Sequence, residues 1–267
     1  MIDAATAREL AMRILEAERS KQPTKQISQL HPDFTIDDAY AIQDAGIRLN
    51  EEAGRAVRAR KIGLTSKVMQ DAVGVSEPDS GVIYHDMFYG PGDTVPFDRF
   101  IAPRIEVELA FVLGYELAGA DCELEDVLEA TSYVTPAIEI LDTRIQMKDP
   151  DTGSTRTIVD TVADNAADAG IIVAHQRFDV HEIDIPWVAA VLRRNGRIEE
   201  SGVAAAVLDH PGHSIVWLTR RLAGLGASLQ PGEVILSGSF TRPLWVERGD
   251  EFLADYGGLG TLEFRFA

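Results

Sequence analysis

Two glutamates two residues apart, Glu106 and Glu108 in Arg104-Ile-Glu-Val-Glu-Leu-Ala-Phe-Val-Leu113, are the first side chains of this chain that could do chemistry. In a strand, period-2 alternation puts both on one face while Ile105, Val107 and Leu109 take the other. On a solvated strand such a face is merely polar. Here Ala110, Phe111, Val112 and Leu113 continue the run with no polar face, so the carboxylates enter an interior that has to neutralise them. Glu139 raises the same demand, because Thr135-Pro-Ala-Ile-Glu-Ile-Leu141 is apolar on both sides of it. Three oxygen donors with no Cys or His nearby suit a hard divalent ion, Mg²⁺ or Mn²⁺, with water or substrate completing the shell.

Lys61, one of five lysines, opens Lys-Ile-Gly-Leu-Thr-Ser66. It either snorkels at the surface or, if enclosed, has its pKa lowered and becomes a usable acid or base. Asp79 in Glu77-Pro-Asp-Ser-Gly81 reads as a turn former. Asp160, Asp164 and Asn165 in Val159-Asp-Thr-Val-Ala-Asp-Asn-Ala166 are turn or cap residues on one reading and ligand-orienting groups on another. Other patterns exclude themselves. Gly257-Gly-Leu-Gly260 has no helix after it, Asp149-Pro-Asp-Thr-Gly153 lacks the closing glutamate of a calcium loop, and no Gly-x-Ser-x-Gly elbow is present.

The elements that must position these groups are legible in outline. Asp3 or Thr6 can cap a helix carrying Leu10, Ile14 and Ala17, and Thr35 with Asp38 starts a second with Ala39, Ile42 and Leu49 at helical spacing. From Lys61 onward short β-like runs alternate with turn chemistry, Asn195-Gly196 being a strong hairpin signal, and two more helices follow Asp121 and His210-Pro211. The sum is an α+β chain, β predominating, with an α-rich part at 1–95 and a β-rich part at 96–267. No regular strand–helix alternation or repeat is present, which disfavours a doubly wound sheet or a TIM barrel. The 267 residues carry 25 basic and 43 acidic side chains, a net charge of −18, which speaks against a nucleic-acid partner. A single cysteine, Cys122, precludes an intrachain disulfide and fits a reducing compartment. No apolar run approaches the ~18 residues of a membrane span and the acid-and-base-mixed opening is unlike a signal peptide, so a cytoplasmic location is expected.

Six ordered motifs then resemble the hydratase/decarboxylase branch of the fumarylacetoacetate hydrolase superfamily. They are Lys-Ile-Gly-Leu-Thr-Ser-Lys67, Glu-Pro-Asp-Ser-Gly81, Arg-Ile-Glu-Val-Glu-Leu-Ala-Phe111, Ala-Ile-Glu-Ile-Leu-Asp142, Val-Ala-Asp-Asn-Ala-Ala167 and Gly-Ser-Phe-Thr-Arg-Pro243. Within that branch the Asp-Pro-Asp-Thr-Gly insertion and Ser239-Phe-Thr-Arg-Pro243 are most similar to the hydratases of seven-carbon oxo-diacids. The resemblance implies a mixed β roll with the metal on Glu106, Glu108 and Glu139, a helical N-terminal part bringing in Lys61 and Asp79 as catalytic residues, and homo-oligomers such as decamers of two pentamers.

The activity so implied is Mg²⁺-dependent hydration of 2-oxohept-3-ene-1,7-dioate, through its 2-hydroxydiene tautomer, to 4-hydroxy-2-oxoheptanedioate. The rival readings are a 4-oxalocrotonate-type decarboxylase, a 2-hydroxypenta-2,4-dienoate hydratase and, from another class, a non-catalytic oxo-acid binding protein. Asp160, Asn165 and Ser239 are the candidate polar contacts to substrate. A far carboxylate needs a cation, and Arg144, Arg156 and Arg242 are the candidates because they lie in the segments particular to this similarity.

Overall fold

The computed structural model describes residues 2–267, apart from the side chains at 72 and 73. Helix α1 (Ala4–Ser20) starts where the Asp3 carboxylate accepts the Ala5 and Thr6 amides, and it buries Ala7, Leu10, Ala11, Ile14 and Ala17 on one face. A single turn, α2 (Ile27–Leu30), leads to α3 (Ile36–Glu52), which begins in a Thr35/Asp38 capping box. The helical faces close over Ile145, Val159, Val162 and Ala163, so the N-terminal helices lie on the segment that follows the Glu139 strand.

The strands and remaining helices follow in order: β1 (Val57–Gly63), α4 (Lys67–Val73), β2 (Asp79–Tyr84), β3 (Phe88–Tyr89), β4 (Thr94–Val95), β5 (Arg104–Leu113), α5 (Leu124–Ala130), β6 (Thr131–Leu141), α6 (Ile158–Ala163), β7 (Asp168–Val173), β8 (Ala189–Arg194), β9 (Arg197–Val203), α7 (Pro211–Gly224), β10 (Val234–Leu236), β11 (Leu244–Trp245), β12 (Glu251–Asp255) and β13 (Thr261–Phe266). The Asn195-Gly196 signal is realised as the β8–β9 hairpin, with both residues at positive φ.

The large sheet has the order β2-β1-β10-β5-β6-β7-β3, with β11 added alongside β5. It is mixed, since β1 pairs with β10 and β3 with β7 in parallel while the other pairs are antiparallel. Asn165, just before β7, accepts the Val82 amide at 2.9 Å and donates to the Val82 carbonyl at 2.8 Å. That pair of hydrogen bonds joins the start of β7 to β2 across the sheet, which therefore curls on itself. A second sheet, β4-β13-β12-β8-β9, packs on its outside through Phe252, Phe264 and Phe266. The division expected near residue 95 falls between strands of one sheet: β1 and β2 hydrogen-bond into the same curl as β5 and β6.

Candidate active site

The curl brings together side chains that sequence separates widely. Glu106 of β5 pairs directly opposite Glu139 of β6, and Glu108 stands one pleat further along. Oxygens of the three carboxylates lie within 4.8 Å of one another. Glu108 and Glu139 are buried, while Glu106 is partly exposed at the mouth of a cavity of about 450 Å³. Glu108 Oε2 accepts the Gly238 amide at 2.8 Å, but Glu108 Oε1 and both Glu139 oxygens have no hydrogen-bond partner. Burial first, and then the charge of Glu139, push Glu106 up to about 8 and Glu108 well above the usual carboxylate range. Unpartnered buried oxygens and carboxylates that favour protonation are the signs of a site short of positive charge. An all-oxygen donor set of this kind fits a hard divalent cation.

Lys61 on β1 is buried, its Nζ 3.4 Å from Glu139 Oε1 and 3.9 Å from Asp79 Oδ1. Enclosure was expected to lower its pKa. Burial does act that way, but Glu139 and then Asp79 outweigh it and hold the ammonium above its ordinary value. Asp79, paired across β1–β2 with Gly63, is buried with its Oδ1 unpartnered, and burial raises it while Lys61 and Arg156 pull it down. A Cβ at position 63 would run into the Asp79 carboxylate, so the backbone approach that seats Asp79 requires glycine there.

Several of the residues expected to face a ligand are engaged elsewhere, which corrects that expectation. Asp160 accepts the Ser28 amide at 3.0 Å, the Ser28 hydroxyl at 2.5 Å and the Thr157 amide at 2.8 Å, tying α2 to the start of α6. Asn165 spends its amide on Val82. Arg144 is buried and saturated: its Nε reaches Asp164 Oδ1 at 2.6 Å, and its terminal nitrogens donate to the carbonyls of Asp168 (2.8 Å) and Asp164 (2.6 Å). Ser239 Oγ lies 2.9 Å from the Thr241 carbonyl, bracing the loop along β5, and it lines the cavity. Arg242 lines the same cavity but is largely exposed and pairs with Glu200 at 2.8 Å. Arg156 is buried, with its Nη1 donating to Thr143 Oγ1 at 3.2 Å.

Two groups escaped the sequence reading. Asp168 is fully buried with both oxygens unpartnered, raised by burial and then by Glu139. It precedes the apolar run Ala169–Val173, the same signal that singled out Glu139. Arg104 stands two residues before Glu106 on the same face, with a buried and unpartnered Nε.

The family described as fumarylacetoacetate (FAA) hydrolase C-terminal matches residues 54–267. A 2-oxo-hept-4-ene-1,7-dioate hydratase of Escherichia coli is 47% identical over 266 residues, covering 100% of both chains. A 2-keto-4-pentenoate hydratase of Paraburkholderia xenovorans is 36% identical over 97% of this chain and 94% of its own. Among solved structures, the 4-oxalocrotonate decarboxylase from Pseudomonas putida G7, complexed with magnesium and adipate, superposes with a TM-score of 0.94 at 30% identity, covering 100% of this chain and 99% of its own. The chain belongs to the fumarylacetoacetate hydrolase superfamily. It is an enzyme of the hydro-lyase class.

Proposed function

We propose that this hydro-lyase adds water to a seven-carbon 2-oxoenedioate, using a divalent cation, Mg²⁺ or Mn²⁺, to give 4-hydroxy-2-oxoheptanedioate. The observation that carries the reading is the buried cluster of Glu106, Glu108 and Glu139 within 4.8 Å, with Lys61 at 3.4 Å from Glu139. The full-length likeness to a hydratase named for the 4-ene isomer supports that isomer as substrate, one bond removed from the 3-ene expected from the motifs. Both isomers share one 2-hydroxy-2,4-diene tautomer, so hydration of either ends at the same product.

Glu106, Glu108 and Glu139 would hold the cation, which would supply Lewis acidity at the oxo-acid end of the substrate. Lys61 keeps a proton at Nζ between two carboxylates, beside the metal-ligand cluster. It shuttles that proton along the carbon chain as the dienol and oxo tautomers interconvert. Asp79 presents an unpartnered Oδ1 to the same space. It orients the attacking water and takes its proton as the hydroxyl bonds to C4; Lys61 gives its proton to C3 of the resulting enolate and recovers one from Asp79, 3.9 Å away. Closure of the β roll keeps bulk water from these groups and strengthens every charge interaction among them. The reading extends to a homo-oligomer, with a decamer of two pentamers as its form, and to the cytoplasm. Exposed Trp187 and Ile198 support a buried interface, and no helix among the described residues is long and apolar enough to cross a membrane.

A spectrophotometric assay on five-, six- and seven-carbon 2-oxoenoates, with and without Mg²⁺, tests the reading. The seven-carbon diacid is expected to react fastest, EDTA to stop the reaction and Mg²⁺ to restore it. Release of CO₂ from 2-oxohex-3-ene-1,6-dioate as the main reaction would replace hydration with decarboxylation. Undiminished activity in EDTA would remove the cation from the mechanism.

A further inference from the structure

Strand β2 carries Asp79 as its first residue and ends the large sheet, with β1 on one side and no further strand among the described residues on the other. All six of its residues are nevertheless buried. A buried sheet edge whose peptide groups lack partners is costly. Here side chains take the place of the missing strand. The Ser80 amide donates to the Tyr40 hydroxyl at 3.2 Å, and Gln43 Nε2 donates to the Ser80 carbonyl at 2.9 Å. Asn165 serves both peptide groups of Val82 in the same way.

Tyr40 and Gln43 stand three residues apart on α3, so one face of the helix presents both to the same residue of β2. Neither is free to turn. Gln43 Nε2 also donates to the Val162 carbonyl of α6 at 2.9 Å, and the Arg221 guanidinium lies 3.7 Å over the Tyr40 ring. The Ser80 amide belongs to the planar peptide that joins Asp79 to Ser80, so holding it holds the backbone from which the Asp79 side chain departs. The chain leaves the sheet just before Asp79, at Glu77-Pro78, and Pro78 has no N–H with which to anchor that end. The strand end that carries the carboxylate therefore depends on Ser80 for its anchorage.

We propose that Tyr40 and Gln43 are positioning residues, which clamp Ser80 and thereby fix the Asp79 carboxylate at its place beside Lys61. The assignment rests on the hydratase reading above, in which Asp79 orients water and takes its proton. It gives helix α3 a part in the reaction although α3 supplies no group to the chemistry. Asp79 Oδ1 lies 3.9 Å from Lys61 Nζ, and a misplacement of about 1 Å at such a site costs about 100-fold in rate.

The test reads hydration kinetics, calorimetric Mg²⁺ affinity and the Gly63 amide resonance of isotope-labelled protein, Gly63 being the residue opposite Asp79 in the β1–β2 register. Tyr40→Phe removes one acceptor and Gln43→Met removes both donors. They should lower kcat by about tenfold and about 10–100-fold respectively. KM and Mg²⁺ affinity should stay within about twofold, since neither the metal ligands nor the oxo-acid end is touched. The Gly63 signal should move toward its place in Asp79→Asn. That variant alone should lower kcat by about 100-fold. Adding Tyr40→Phe to it should cost less than about twofold more, because the clamp has no carboxylate left to place. A structural role alone would lower kcat by the same factor in both backgrounds and overturn the clamp. So would a Gly63 signal that stays put, or a native kcat in Tyr40→Phe where Asp79→Asn is slow; Tyr40→Phe suffices if Gln43→Met does not fold. A native kcat in Asp79→Asn, with the Gly63 signal still moved by Tyr40→Phe, overturns the part of Asp79 in the hydratase reading and leaves the clamp on position 79 standing.

Discussion

Replacing Glu106 by Gln should make the metal-free protein more stable while it destroys metal binding. Three carboxylates within 4.8 Å repel one another. One such pair costs about 3.5 kcal/mol at an effective dielectric near 20. Lys61, 3.4 Å from Glu139, offsets part of this, and Glu106 at the cavity mouth is partly screened, so about 2 kcal/mol should be recovered in Glu106→Gln. At about 2–4 °C per kcal/mol this is a rise of about 4–8 °C in Tm for the EDTA-treated protein.

The pH dependence follows from the direction of the shift. Glu106 is raised to about 8 in the folded protein from 4.5, by burial and then by Glu139. Below about 4.5 both states hold the proton and no penalty exists. Between 4.5 and 8 the unfolded chain releases it while the folded chain does not, so the penalty grows with pH and is complete above 8. Scanning calorimetry on EDTA-treated native and Glu106→Gln protein should show the melting points diverging from pH 5 to pH 8, the variant being higher. Added Mg²⁺ should raise the native Tm through preferential binding to the folded state and leave the variant nearly unmoved. A variant less stable than the native protein at pH 8 without metal would show that Glu106 is a structural acceptor, and the metal-site argument would fail with it.

Lys61→Met should lower kcat by about 100-fold or more, the usual loss of a general acid–base group. Its Mg²⁺ affinity should not fall, since Nζ competes with the cation for Glu139; steady-state kinetics with calorimetry decide, and an unchanged kcat would reduce Lys61 to a counter-charge. Asp160→Ala should cost about 2–3 kcal/mol in urea unfolding, having stranded the Ser28 and Thr157 donors, with KM unchanged. A raised KM at native stability would return Asp160 to the substrate site. Gly238→Ala should weaken Mg²⁺ binding by about 10–100-fold, as loss of an outer-shell hydrogen bond does. Gly238 sits at φ +112, its added methyl would collide with Thr65, and its amide orients Glu108 at 2.8 Å; calorimetric Mg²⁺ titration reads the effect.

Glu106, Glu108 and Glu139 could be picked out of the sequence because strand alternation and apolar flanks are local properties, and a carboxylate inside an apolar run is conspicuous wherever the strand goes. The same rule applied to Asp168 would have found it. The charge state of Lys61 was not legible, because Glu139, the larger influence, reaches it from β6 only after the sheet curls, whereas Asp79 stands on the paired strand β2. For Asp160 and Asn165 the sequence leaves two readings open for a related reason. Caps and ligand contacts use the same residue types, and only the partner tells them apart. Those partners, Ser28 and Val82, stand 132 and 83 residues away in sequence. Arg144 looked like an anion receptor until Asp164, twenty residues on, was seen to occupy it from two sides.

The curled sheet also explains how an acidic chain can accept an acidic substrate. Asp79, Glu106, Glu108, Glu139 and Asp168 come together around Lys61, with Arg104 two residues from Glu106 on β5 and Arg144 and Asp164 cancelling beside them. Carboxylates outnumber cations in this cluster, a deficit that a divalent ion would reduce and that accords with buried acids favouring protonation when no ion is bound. Three of the acids lie on the β5–β6 pair, and Arg104 opens β5 beside them. The interior is therefore polar from end to end rather than uniformly negative. The −18 of the whole chain is spread over a surface where salt screens it within about 10 Å, so a dianion that reaches the mouth meets this local arrangement and not the net charge.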